Sequence, residues 1–235
     1  MSSPQSRWGL RVLGRLDLRG DETVLEAGCG TGRDTARLLD MLPRGRVIAL
    51  DGSSQMLDRL KYRLAGRLEQ VEILRADLSR PLQLDSPVDV VFSVAAFHWV
   101  QDHDALFRNL AGVMRPGGRL AADCGGRGNI SNVGAAIQQV TGAPAETGIW
   151  NFAGAGETRR RLASAGFSDI EVQLHSEPVS FESRREFNRF LETVILGSHL
   201  VRMDSSERDA FVASVAMLLP ERQVDYVRLT LTAVK

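Results

Sequence analysis

The chain has 235 residues, 43% hydrophobic and 25% charged, which is enough apolar content for the core of one full-sized domain. Its 29 basic and 29 acidic side chains cancel, so nothing calls for a polyanionic partner and no nucleic acid is expected. Two cysteines are too few for a disulfide framework, no apolar run reaches the length of a membrane span, and the first residues lack the apolar core of a signal peptide; a soluble, cytoplasmic protein is expected.

Residues 7–16 read as a short helix with Trp8, Val12, Leu13 and Leu16 on one face. "TVLEA" (23–27) is a short apolar run, and 33–42 has helical spacing that Pro43 stops. "GRVIALD" (45–51) is a second apolar run that ends on an acid. A helix follows at 54–66, with Gly66 as its stop. "VEILRAD" (71–77) and "VDVVFSV" (88–94) are further strands. Residues 102–114 form a helix, "RPGG" (115–118) a turn and "RLAADCG" (119–125) a fifth strand. The strands are continuous apolar runs that alternate with helices, which marks a parallel sheet covered on both faces. In such a doubly wound sheet ligands bind beyond the carboxyl ends of the strands. Here those ends carry Glu26, Asp51, Asp77 and the stretch from Ser93 to Trp99.

The second half changes character. A loop and helix occupy 128–142, a helix 155–170 and a strand 170–177; two helices follow at 183–200 and 205–219. The last strand, 224–234, alternates Arg228, Thr230 and Thr232 against Val227, Leu229 and Leu231, a period expected of an antiparallel strand near the sheet edge. No internal repeat or linker divides the chain, so residues 1–235 are expected to form a single domain.

"EAGCGTGR" (26–33) separates two ligand classes. A dinucleotide turn of the form G-x-G-x-x-G needs its third glycine where Arg33 stands. An acid at Glu26 would repel a pyrophosphate and attract a cation. No metal-ligand spacing occurs, since His98 and His103 are five apart and His175 and His199 are isolated, so no metal is expected. No G-x-S-x-G elbow of a serine hydrolase is found either.

The order acid-x-Gly-x-Gly-x-Gly resembles motif I of class I S-adenosylmethionine-dependent methyltransferases, and residues 20–125 follow that family's motifs in order. The resemblance implies S-adenosylmethionine as cofactor. It implies contacts from Glu26, Gly28, Cys29 and Gly30 in the first turn, and from Asp51 and Gly52 at the ribose. Met56 would pack on the adenine, Asp77 with the backbone of Ala76 and Leu78 would bind its amino edge, and Ser93 would open the fourth motif. It also implies a seven-stranded sheet of order 3-2-1-4-5-7-6 with strand seven antiparallel, and a helical cap from 126–155 and 180–220 over the acceptor.

The fourth motif, "SVAAFHWV", lacks the N/D-P-P-Y of enzymes that methylate base amines. "AAFHWVQDHDALF" is similar to the corresponding stretch of trans-aconitate methyltransferases and of malonyl-carrier-protein methyltransferases, both of which methylate carboxylates. The tail is more similar to the first group. The expected function is methyl transfer to a small carboxylic acid by a monomer or homodimer. The alternatives are a carrier-protein carboxyl methyltransferase docking through Arg184, Arg185 and Arg189, and a non-catalytic S-adenosylmethionine-binding protein. His98 is the candidate catalytic residue, to orient or deprotonate the acceptor. Trp99, Arg127, Trp150, His199 and Arg202 are candidates for acceptor binding, the arginines as carboxylate forks. Arg7 and Trp8 either close over the cofactor or leave it more open than in relatives.

Overall fold

The computed structural model describes residues 4–143, 149–201 and 203–235. Its strands are β1 (Thr23–Ala27), β2 (Arg46–Asp51), β3 (Val71–Arg75), β4 (Val88–Val94), β5 (Met114–Gly125), β6 (Ser168–Ser176), β7 (Val179–Ser180), β8 (Gln223–Val224) and β9 (Val227–Val234). Its helices are α1 (Pro4–Leu13), α2 (Arg33–Met41), α3 (Ser54–Arg63), α4 (His103–Val113), α5 (Ser131–Thr141), α6 (Ala155–Ser164), α7 (Arg184–Phe190), α8 (Gly197–Leu200) and α9 (Ser205–Met217). Seven strands form one sheet in the order β3-β2-β1-β4-β5-β9-β6. The pairs from β3 to β5 are parallel, and β9 runs antiparallel to both β5 and β6. With β9 as the seventh long strand, this is the expected topology.

Alternate strand residues face opposite layers. Leu25, Ile48, Val91 and Leu120 pack with α4 and α6, whereas Val24, Val47, Val90 and Ala121 pack with α1, α2 and α3. Both faces are covered, which is why these strands read as unbroken apolar runs. A third cluster joins α5, α7 and α9 through Val133, Phe187 and Val215, and takes in Trp8 and Tyr226.

Several boundaries differ from the sequence reading. The first helix starts at Pro4, a residue suited to the first turn because its missing N–H has no helical partner there. The "RPGG" turn is a bulge inside β5: Val88 pairs with Met114 and Val90 with Arg119, so the four residues between are looped out. The helix expected at 183–200 breaks into α7, a π-helical turn (Leu191–Ile195) and α8. The last strand is also split. Its polar alternation does not mark a wet face, because Arg228 and Thr230 are 1% and 2% exposed. Helix α1 lies over that face of β5 and β9, and charge pairing makes the burial tolerable.

Candidate active site

Two cavities meet at the carboxyl ends of the parallel strands. The larger, of ≈ 660 Å³, is lined by Gly28, Gly30, Asp51, Gly52, Met56, Ala76, Asp77, Leu78 and Trp99, among others. Its rim is the glycine turn after β1. Gly28, Gly30 and Gly32 all have left-handed backbone, at φ 86°, 54° and 77°. A Cβ on Gly28 would collide with that of Ala96, while one on Gly30 would meet nothing within 4 Å. The N–H groups of Gly28 and Cys29 donate to Leu50 O at 2.8 and 2.9 Å, fastening the turn to the end of β2. Asp51 takes one hydrogen bond per carboxylate oxygen, from Gly30 N and Ser53 N, both at 2.9 Å. Asp77 accepts from Ser79 N and Oγ through one oxygen, which holds its carboxyl below the usual range.

Three residues named from the sequence stand just outside this cavity. Glu26 is buried beneath the turn and accepts from Thr35 Oγ1. Burial, aided by Asp34 and Asp51, pushes its carboxyl up to about 8 against the Thr35 bond. Cys29 is buried, and burial holds it as a thiol. Ser93 donates to Ala27 O at 2.7 Å, tying the end of β4 to that of β1.

The smaller cavity, of ≈ 170 Å³, shares Ala95 and Trp99 with the larger. Ala95 lies at φ 58°, a strained conformation for a non-glycine residue, at the boundary of the two spaces. Trp99, Trp150 and Phe152 form an aromatic wall, with Trp150 and Phe152 stacked at 5.7 Å. His98 is 8% exposed and lines this chamber. Its Nδ1 accepts from Gly125 N at 3.2 Å, so the ring proton resides on Nε2. Burial, then the charge of Arg228 and the neighbouring His103, lowers its pKa to about 3.

The sequence candidates for acceptor binding do not all converge here. Trp99 is 48% exposed and belongs to both cavities, and Trp150 belongs to the chamber wall. The Arg127 side chain is 71% exposed, pairs with Glu157 at 3.3 Å and lines neither cavity. It follows β5 at a turn that projects it outward. His199 sits behind the wall, 6.1 Å from the rings of both Trp150 and Phe211. Arg202 lies outside the described residues. Trp8 lines the smaller chamber rather than the larger cleft, stacked under Arg228.

Comparison with known proteins agrees with this geometry. Residues 24–118 match a family described as methyltransferase domain. The trans-aconitate 2-methyltransferase of Azoarcus sp. (strain BH72) is 39% identical over 110 residues, 47% of this chain and 42% of the relative. That of Acidovorax ebreus (strain TPSY) is 33% identical over 119 residues, 51% of this chain and 44% of the relative. The chain thus matches less than half the length of these curated relatives. A phosphoethanolamine N-methyltransferase of Haemonchus contortus, solved with S-adenosylhomocysteine, superposes with TM-score 0.67 at 18% identity, over 97% of this chain and 52% of the other. Residues 24–118 thus match a methyltransferase domain, on a fold shared with the S-adenosylhomocysteine-bound neighbour, and S-adenosylmethionine is the cofactor these similarities support. The larger cleft fits that cofactor on its own chemistry. Among the described residues it is lined by two acids and by no lysine or arginine, so its charge suits a cationic ligand better than a pyrophosphate. A side chain on Gly28 would fill its rim.

The sheet also holds charges, outside the matched residues 24–118, that motif reading passed over. Asp123 is fully buried on β5, and Arg228 pairs with it diagonally from β9 through Nε at 2.8 Å. The other Asp123 oxygen takes two bonds from Arg11 on α1, at 2.8 and 3.2 Å. Arg11 reaches on to Glu177, which also accepts from Trp8 Nε1 at 2.9 Å. An acid inside the apolar run "RLAADCG" was the available signal, because a buried charge demands a partner. Among the described residues no cluster could hold a metal ion, and no helix is long and apolar enough to cross a membrane.

Proposed function

We propose that the chain transfers a methyl group from S-adenosylmethionine to a carboxylate oxygen of a small organic acid. The observation that carries this reading is the junction of the two cavities: an acid-lined cleft sized for a nucleoside opens at Ala95 and Trp99 into a chamber whose charged lining residue is the cation Arg228. The match of about half the chain to trans-aconitate 2-methyltransferases supports it.

In this reading Asp51 and Gly52 hold the ribose, Met56 and Leu78 flank the adenine, and Asp77 with Ala76 binds its edge. Gly28, Cys29 and Gly30 admit the amino-acid tail, with Glu26 buried beneath them as the support of the turn. When bound, the cofactor supplies a methyl group on a sulfonium, which leaves as a neutral thioether. A carboxylic acid is already ionised at neutral pH, so the acceptor asks for no base. His98 matches that demand: with Nδ1 occupied by Gly125 and its proton on Nε2, it orients an oxygen by donating and does not remove a proton. Trp99 and Ala95 align the acceptor at the cleft, and alignment supplies much of the rate in such a displacement.

The test has two arms. Thermal melting should show stabilisation by S-adenosylmethionine and S-adenosylhomocysteine and none by NADH. Release of S-adenosylhomocysteine should then depend on an added acid. Binding without acid-dependent release would favour the non-catalytic alternative. The carrier-protein alternative has less to stand on, because Arg184 is committed to the carbonyls of Ala216 and Leu219 at 2.6 and 3.3 Å. A small-molecule acceptor and a cytoplasmic setting belong to the same proposal.

A further inference from the structure

We propose that Arg228 is the anchor for the acceptor's carboxylate, and that the acceptor carries a single carboxylate on an apolar or aromatic body. This deepens the methyl-transfer reading and rests on it for the product, though the binding site stands on geometry of its own.

Arg228 is 1% exposed, yet it lines the chamber. Its Nε spends its hydrogen on Asp123. Its Nη2 lies 2.8 Å from the same oxygen, close enough for ion pairing, but makes no hydrogen bond there or elsewhere. A buried guanidinium N–H without an acceptor marks a place for one. The group is held still while it waits. It stacks on Trp8 at 3.6 Å from the ring centroid, and Asp123 is itself clamped by Arg11. Asp123 therefore divides its charge between two guanidiniums, and the face of Arg228 toward the chamber keeps its positive character.

The second donor lies beside it. Gly125, the register partner of Arg228 across β5 and β9, is the residue whose N–H fixes the His98 tautomer. The chamber is thus presented with a guanidinium and an Nε2–H from adjacent positions, both donors. Two donors side by side select an anion over an amine, and among the described residues no carboxylate lines the chamber to receive an ammonium.

The rest of the lining limits the body of the ligand. Trp99, Trp150, Phe152 and Ile195 offer rings and methyl groups. Arg228 is the one cation lining the chamber among the described residues. A second or third carboxylate would find only the neutral polar groups of Gln5, Asn129 and Tyr226 and no further cation among the described residues, so its desolvation would be poorly offset. The site therefore discriminates against the tricarboxylate that the curated relatives are named for, and favours flat monoacids.

The experiment is calorimetric titration of the full chain, saturated with S-adenosylhomocysteine, with benzoate, trans-2-hexenoate, benzamide, benzylamine and trans-aconitate. The two monoacids should bind, the amide and the amine at least about tenfold more weakly, because they forfeit charge-assisted bonds. Trans-aconitate should also bind more weakly than the monoacids. Arg228→Lys, which keeps the charge and loses the fork, should weaken monoacid binding about tenfold with S-adenosylhomocysteine affinity unchanged. Because Arg228 partners a buried acid, the paired variant Arg228→Gln with Asp123→Asn gives a second check: it should lose the acids and keep S-adenosylhomocysteine. Monoacid binding that survives both variants, preference for trans-aconitate, or no acid binding with S-adenosylhomocysteine intact would each overturn the proposal. Its failure is separable from that of methyl transfer. Arg228-dependent binding without ester formation removes the activity and keeps the anchor. Ester formation with an unchanged acceptor KM in Arg228→Lys removes the anchor and keeps the activity.

Discussion

The proposed cofactor cleft and the proposed acceptor chamber share a wall but are built in different ways. The cleft is made of short local pieces, each a strand end and the turn after it: Gly28 and Gly30 after β1, Asp51 and Gly52 after β2, Ala76 and Asp77 after β3. Its shape rests on backbone, on left-handed glycines and on N–H groups that tie one turn to the next. The chamber is made of side chains drawn from the whole chain, from Trp8 through His98 and Trp150 to Arg228. Its shape rests on one buried charge network and on rings. A backbone cleft suits a ligand that does not change, whereas a side-chain chamber can be respecified by a few substitutions.

The largest effect that would expose this difference is Asp123→Ala. It leaves Arg228 buried without its partner and should cost about 3–5 kcal/mol of stability, read by urea unfolding. Survival with little loss would mean the network does not hold α1 over the chamber. Next is Asp51→Ala, which removes charge-assisted bonds at the proposed ribose site. S-adenosylhomocysteine affinity should fall by about 1.5–3 kcal/mol in calorimetry while acid binding persists. Unchanged affinity would remove Asp51 from the cofactor site.

The two regions should also answer pH with opposite signs. Glu26 is raised from 4.5 to about 8, so its share of stability is complete below pH 4.5 and is lost as pH rises through about 8. His98 is lowered from 6.5 to about 3, so its share is complete above pH 6.5 and is lost as pH falls through about 3. Unfolding measured across pH should show slopes of about 1.4 kcal/mol per unit in each window. Glu26→Gln should flatten the alkaline slope and His98→Gln the acid one. A kcat/KM profile with a limb near pH 6.5 that His98→Gln abolishes would make His98 a base and contradict its fixed donor role. The smallest expected effect is that of Arg127→Ala. An exposed pair with Glu157 contributes at most about 1 kcal/mol, and the acceptor KM should not move.

The legibility of the sequence follows the same division. Strand runs, the glycine turn and acids at strand ends are local patterns, so the parallel sheet and the strand-end position of the cleft could be read from them, while the sheet order and the individual lining residues came with the family resemblance. Asp77 and Ser93 show the limit of such reading even there: one also caps its own turn, and the other is spent on a backbone carbonyl. Of the chamber, His98, Trp99 and Trp150 were named from the sequence, whereas Phe152 and Arg228 left no pattern because they join the others only after folding. Arg127 carried the chemistry of a carboxylate fork, but the turn after β5 sends it to solvent. Arg228 sat in an alternation that resembles a wet strand face, and only the docking of α1 shows that the face is dry. A charge within a run such as "RLAADCG" is the surest sign that a distant partner exists, though it does not say which.

The central claim is that the two cavities act together, one presenting a methyl group and the other a carboxylate. The most direct measurement is mass spectrometry of small acids incubated with the protein and S-adenosylmethionine bearing a deuterated methyl group. The account predicts a labelled methyl ester on a monocarboxylic acid, formed together with S-adenosylhomocysteine. Label on an amine, or cofactor bound with no ester from any acid, would contradict it.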